Sequence, residues 1–153
     1  MTWDAGLSVL HWWAVFMLIT TLVGEKVLLT GAVDDGAVRR LARFDLLYGV
    51  AALLVLAAGL SRAAWGAKGW AFYAGNPMFW TKLGLYALMG LLSIPPTLAF
   101  RRWRRQLAAG QGAGQEAIEP AEVKRVRRWL DLEATMLVLI PVAAALMARG
   151  IGA

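Results

Sequence analysis

The sequence predicts an all-α integral membrane protein, an antiparallel four-helix transmembrane bundle. Three observations predict it. The 153-residue chain is 59% hydrophobic and only 17% charged, more apolar than an ordinary soluble domain. Its charges are segregated, leaving four apolar runs near residues 7–30, 44–64, 79–100 and 129–148. Each run is about 20 residues or slightly longer, enough to cross a hydrocarbon core of ~30 Å as a helix. No run alternates in hydropathy, and a spanning segment must close its backbone hydrogen bonds internally, so the runs are helices and not strands. Residues 1–153 read as one membrane domain without internal repeats.

The first run contains "SVLHWWAVFMLITTLVGEKVLL". It holds the single histidine, His11, beside Trp12 and Trp13, while Glu25 and Lys26 lie toward its other end. The preceding "MTWDAG" is acidic and offers neither a basic n-region nor a small-residue cleavage site, so the run is expected to be retained as a helix. The second run lies between "RRLAR" and "WGAKGW". The third stops at "RRWRR". Near its end the "IPP" of Ile94–Pro96 removes two backbone donors, which should kink or loosen the helix. The polar, Gly/Gln-rich "AAGQGAGQEAIEP" reads as a loop that leads into a helix start at "PAEVKRV". The fourth run follows "KRVRR". Runs two and four are rich in Ala and Gly, which allows close helix approach.

Basic residues set the expected orientation. Arg39, Arg40 and Arg43 lie between runs one and two, and Arg101, Arg102, Arg104, Arg105, Lys124, Arg125, Arg127 and Arg128 between runs three and four. Only Arg62, Lys68 and Lys82 fall near the remaining loop, and Arg149 near the C-terminus. The positive-inside rule then places both termini outside and the Arg-rich loops in the cytoplasm, N-out and C-out. Trp3, Trp12, Trp13, Trp65, Trp70 and Trp80 would form an outer aromatic belt, and Trp103 and Trp129 a thinner inner one.

This topology sorts the intramembrane polar residues into two layers. The outer layer is His11, Arg62, Tyr73 and Lys82. The inner layer is Glu25, Lys26, Arg43, Asp45, Asp131 and Glu133. His11 and Glu25 are separated by close to four helical turns, so they share a face about 21 Å apart along the axis. Lys82, Tyr86, Met89 and Ser93 share a stripe of the third helix. Both stripes are expected to face the bundle interior, because an ionisable group at the bilayer centre costs ~2.5–3.5 kcal/mol on the gentlest scale.

Several function classes are excluded or weakened. The chain has no cysteine, which removes disulfides, thiolate metal sites and cysteine nucleophiles. One histidine excludes a multi-His site within one chain. No dinucleotide, P-loop, nucleophile-elbow or zincin motif is present. The net charge of +6 is attributed to cytoplasmic loops that contact anionic lipid, with no nucleic-acid partner. Within the layers, His11 reads as a haem ligand, a proton relay or an interfacial hydrogen-bonding residue. Lys82 reads as a cation for an anionic group or as a snorkelling side chain. Glu25, Asp45, Asp131 and Glu133 read as an ion-pair layer with the nearby arginines, or as a proton or ion site. No loop has the spacing of a Ca²⁺ or Mg²⁺ site.

The stretches "RRLARFDLLYGVAALLVLAAGLSR" and "FYAGNPMFWTKLGLYALMGLLSIPPT" resemble a bacterial family of uncharacterised, predicted four-helix membrane proteins, over nearly the whole chain. The matching residues are His11, Glu25, Asp45, Gly59, Arg62, Phe72, Tyr73, Asn76, Pro77, Phe79, Trp80, Lys82, Ser93, Pro96 and Thr97. More distantly, His11, Arg40–Leu41, Gly59 and "FWTKL" are similar to features of HemJ-type protoporphyrinogen oxidases and CopD-like membrane domains. That resemblance implies haem b as cofactor, His11 as ligand to the haem iron, and Lys82 as a haem- or substrate-interacting cation. The sequence departs from it where "SIPPT" replaces a helix-three histidine, leaving Met89, Met17, water or a partner as sixth ligand. The expectation is therefore a bacterial inner-membrane protein with a haem-b-binding oxidoreductase or electron-transfer role. In it Lys82 and Tyr73 are the catalytic candidates, and His11, Lys82 and Arg62 bind the cofactor. The rival is a non-enzymatic membrane module: a small transporter, a lipid-binding protein or an assembly subunit. Copper handling by a Met/His site is weaker. A homo-oligomer and enzymatic activity both stay open.

Overall fold

The computed structural model describes residues 2–66, 69–110 and 118–149. Six helices follow in order: α1 (Thr2–Leu28), α2 (Asp35–Trp65), α3 (Gly69–Ala74), α4 (Pro77–Leu92), α5 (Ile94–Ala108) and α6 (Pro120–Ala148). The described residues contain no strand. Helices α4 and α5 together make one crossing, so there are four spans long and apolar enough for a membrane: Trp3–Leu28, Asp35–Trp65, Pro77–Ala108 and Pro120–Leu146. Lys68 and the Gly/Gln-rich loop over 111–117 lie outside the described residues.

The helices outrun the apolar runs. Helix α1 starts at Thr2 and not near residue 7, α2 at Asp35 and not near 44, and α6 at Pro120 and not near 129. The third span runs from Pro77 to Ala108, beyond both 79 and 100. Hydropathy marks the part that suits lipid, whereas helix ends are set by caps and helix formers. The Asp34 carboxylate accepts the Ala37 N–H at 2.6 Å, and Pro120 opens α6 where a missing N–H costs nothing. The Arg-bearing segments thus continue as helix past the apolar part. In the other direction α1 stops at Leu28, short of 30, as the chain turns toward the Asp34 cap.

The expected disturbance at "IPP" is present as a break at Ser93, which ends α4 and begins α5. Pro95 and Pro96 fall in the first turn of α5, where they have least to disrupt. The ladder is bridged there, since Ser93 N–H donates to Met89 O and Thr97 N–H to Ser93 O, each at 3.1 Å. A further proline, Pro141, lies inside α6 and removes one donor from its ladder.

Neighbouring spans are antiparallel. Gly24, near the end of α1, faces Phe44 near the start of α2: an added Cβ would stand 2.7 Å from the Phe44 ring. At the opposite end His11 faces Gly59. The end of α5 meets the start of α6 through the Arg102–Glu122 ion pair. Helix α1 packs chiefly on α2, and α4 chiefly on α6, while α2–α5, α5–α6 and α1–α6 contacts close the bundle. Because alternate ends coincide, the Arg-rich segments of α2, α5 and α6 gather at one end and the exposed Trp3, Trp12, Trp13, Trp65, Trp70 and Trp80 at the other.

The best-packed core lies in the Arg-rich half, where Leu22, Leu29, Leu41, Phe100, Trp103 and Leu130 are almost fully buried. Trp103 corrects one expectation. It is 1% exposed, and its Nε1–H donates to Glu122 Oε1 at 2.6 Å. It is a core residue between α5 and α6 and not part of an aromatic belt. Around the outside, Leu53, Leu98 and Val138 are among many large apolar side chains left exposed, as a bilayer-facing surface requires.

Candidate functional site

The polar residues form two groups at different heights. At the Trp-rich end, α1 brings His11, α2 brings Arg62 and α4 brings Lys82. Lys82 and Arg62 are the charges that face the imidazole, and Arg62 also faces Lys82. Among the described residues none of the three has an acidic ion-pair partner. Gly59 makes the approach of His11 to α2 feasible, since an added Cβ would be 3.4 Å from Cε1 and 3.7 Å from Nδ1. The Cε1–Nδ1 edge of the ring is therefore turned onto α2, and Val55, one turn away, offers its backbone as a polar partner. Arg62 Nε is buried without a hydrogen-bond partner, and His11 Nδ1, outside hydrogen-bond geometry, has only the Val55 backbone beside it.

Also toward this end, Asn76 caps α4 by accepting the Met78 N–H at 2.8 Å. It is 2% exposed, and its Nδ2 also has no partner. Tyr73, expected in the same layer, is held by aromatic contacts, with ring centroids 5.3 Å from Phe72 and 5.6 Å from Phe79. Trp70 and Trp80 extend this cap on either side of Phe79.

The second group lies in the Arg-rich half. Glu25 of α1, Asp45 of α2 and Glu133 of α6 face one another. Glu25 and Glu133 are 2% and 1% exposed, while Asp45 is half-buried. Each of two carboxyls has a hydroxyl partner: Tyr48 donates to Glu133 Oε1 at 3.0 Å, and Thr97 of α5 donates to Asp45 Oδ1. Glu25 Oε1 is buried with no partner. Arg101 faces Asp45, but no ion pair to any of the three exists among the described residues. Tyr86 stands beside Tyr48 and donates to the Ala52 carbonyl at 2.7 Å, tying α4 to α2.

Asp131 departs from the expected layer. It is exposed and pairs with Lys26 at 2.7 Å, on the outer side of the α1–α6 contact. Two residues apart on a helix point to nearly opposite sides, so Glu133 and Asp131 cannot both face the interior. The pair closes the Arg-rich end of a groove of about 460 Å³ between α1 and α6, lined by Ile19, Val23, Val27, Leu137 and Val138 among others. Tyr48 is the residue that sequence reasoning missed. Its signal was its place one turn after Asp45, on the same face of α2.

Among the described residues no three His, Cys, Asp or Glu side chains stand so as to hold a metal ion. Met89 is 1% exposed within the core, and Met17 packs against it. Met17 lies about 9 Å along α1 from His11 and Met89 about 10.5 Å along α4 from Lys82, so neither is level with the imidazole as a second iron ligand. No curated protein and no solved structure gives a match, and the likeness to HemJ-type proteins rests on the sequence features alone. The family described as predicted membrane protein (DUF2214) matches residues 3–152. With four apolar spans and a match across nearly its full length, the chain belongs to this family of predicted membrane proteins.

Proposed function

We propose that this membrane protein binds the anionic end of an amphipathic ligand at the Trp-rich end of its bundle, through His11, Arg62 and Lys82. One observation carries the reading: three basic side chains from three helices converge with no ion-paired acid among the described residues, and Arg62 Nε is buried and unpartnered. Such groups are costly to bury until acceptors complete them. A carboxylate or phosphate supplies those acceptors and the missing negative charge, and a guanidinium binds either in a planar, two-point fashion.

Haem b is the specific ligand proposed, with an oxidoreductase or electron-transfer role. Lys82 and Arg62 would neutralise its propionates. His11 would ligate iron through Nε2, because the Nδ1 edge is turned onto Gly59. Bound haem supplies one-electron redox chemistry. The chain's own part is to orient the group, shield it with the Phe79 aromatic cap and hold its charge. Protein purified in mild detergent after expression with ample haem should show a Soret band that His11→Ala abolishes. A colourless protein would sink the haem reading. The wider anion reading then stands on thermal stabilisation by oleate that Arg62→Met and Lys82→Met remove, and it fails if oleate stabilises all three proteins equally.

The groove between α1 and α6 favours a second reading, a non-enzymatic lipid-binding module. Its apolar walls suit an acyl chain, and at one end Arg127 stands beside the Lys26–Asp131 pair, where it suits an anionic headgroup. In either reading the Arg-rich end is proposed to lie in the cytoplasm against anionic lipid of a bacterial inner membrane, with both termini outside. The chain lacks cysteine, which makes the orientation directly testable. Ala5→Cys should react with an impermeant maleimide on intact spheroplasts, and Ala108→Cys only after permeabilisation. The opposite pattern would invert the topology.

A further inference from the structure

We infer that Glu25, Glu133 and Asp45 form a proton-exchange site inside the Arg-rich half of the bundle, in which Glu25 and Glu133 share a bound proton and Asp45 connects them to the aqueous face. The inference is independent of any ligand at His11. Its base is geometric. Carboxyls from three helices stand within electrostatic reach of one another, Glu25 and Glu133 are both sealed from solvent, and Glu25 Oε1 is buried without a partner. The remaining groups facing the cluster are accounted for. From α2 and α5 come the hydroxyls of Tyr48 and Thr97, which donate to Glu133 and Asp45. Tyr86 of α4 is engaged with the Ala52 carbonyl. Lys26 of α1 is turned outward to Asp131. Arg101 is the nearby cation, and it faces Asp45.

Glu25 and Glu133 therefore lack a positive partner in an interior where an uncompensated charge is expensive. A proton or a small cation between them removes one of the two charges, and the Tyr48 hydroxyl supports the one that stays on Glu133. Among the described residues no group of acids is arranged to hold a metal ion, which favours the proton. Exposure sets the direction of exchange. The two glutamates are sealed, whereas Asp45 is half-buried and next to Arg101 at the Arg-rich end. A proton leaving the glutamates passes to the Asp45 carboxylate and then to water. No bond other than O–H is made or broken.

Difference infrared spectroscopy on detergent-purified protein tests the site. Wild type at neutral pH should show a protonated-carboxyl carbonyl band that shifts in D₂O. Glu25→Gln or Glu133→Gln should remove or displace it. Asp45→Asn should keep the band and slow its D₂O shift by about 100-fold, the scale that a positioned proton donor contributes. If one glutamine variant does not fold, the other variant and the wild-type D₂O shift still decide. Any of four results would overturn the proposal: no band, a band indifferent to both glutamine variants, a band that never exchanges, or exchange in Asp45→Asn as fast as in wild type. Loss of the band on adding Na⁺ but not choline at constant pH would reassign the site to a monovalent cation and overturn it as well.

Discussion

Trp103→Ala is expected to destabilise the protein by about 3–5 kcal/mol, the range for emptying a buried aromatic position. Trp103 is 1% exposed, packs its ring 5.6 Å from that of Phe100, and donates to Glu122 at 2.6 Å. Truncation would leave a void where α5 meets α6 and would remove one of two donors to Glu122. The other, Arg102, is partly exposed and cannot fill the space. Trp103→Phe separates the two contributions. It retains most of the ring and loses the hydrogen bond to a charged acceptor, so about 1.5–3 kcal/mol is expected. Thermal unfolding in one detergent at a fixed scan rate provides the comparison, because membrane proteins often unfold irreversibly. A midpoint for Trp103→Ala equal to that of wild type would return this residue to the membrane interface.

Glu25→Leu is expected to act in the opposite direction and raise stability by about 1–4 kcal/mol, as replacing buried ionic groups with apolar ones often does. No hydroxyl or N–H of the described residues donates to Glu25 Oε1, the proton it would share can rest on Glu133 alone, and its surroundings include Leu22 and Leu29 of the core. Glu133→Leu provides the contrast. It would strand the buried Tyr48 hydroxyl, which now donates to Glu133, and should destabilise by about 1–3 kcal/mol. Two glutamates of equal burial thus diverge because the Tyr48 hydroxyl depends on Glu133 and no hydroxyl depends on Glu25. Equal destabilisation by both substitutions in the same unfolding assay would refute this account.

Much of the fold was legible because hydropathy reports directly on what suits lipid. Four runs gave four spans, and the segregation of arginine placed like ends together. Helix ends were not legible in that way. The segments from Asp35 to Arg43 and from Pro120 to Arg128 are too polar to register as membrane, yet caps and helix formers carry the helices through them. The distinction between Glu133 and Asp131 was available in principle, since residues two apart on a helix diverge. Composition alone grouped them as acids near arginines. The grouping of His11 with Arg62 and Lys82 followed from topology and helical spacing. Their shared lack of an acid, and the unpartnered nitrogens beside them, depend on how side chains pack across helices. The burial of Trp103 is of the same kind. A tryptophan between arginines has the composition of an interface residue, and only the approach of α6 converts it into core.

The uneven packing along the bundle also has a mechanical meaning. The polar ties between the α1–α2 pair and the α4–α6 pair are Lys26–Asp131, Tyr48–Glu133, Thr97–Asp45 and Tyr86–Ala52, all at mid-height or in the Arg-rich half. At the far end the groups that face across the pairs are His11, Arg62 and Lys82, and the two cations repel. The polar fastenings are thus concentrated at one end, while at the other two like charges face each other across apolar and aromatic packing. An anion seated between them would turn that repulsion into attraction, so filling the site would also strengthen the end of the bundle that has fewest polar ties.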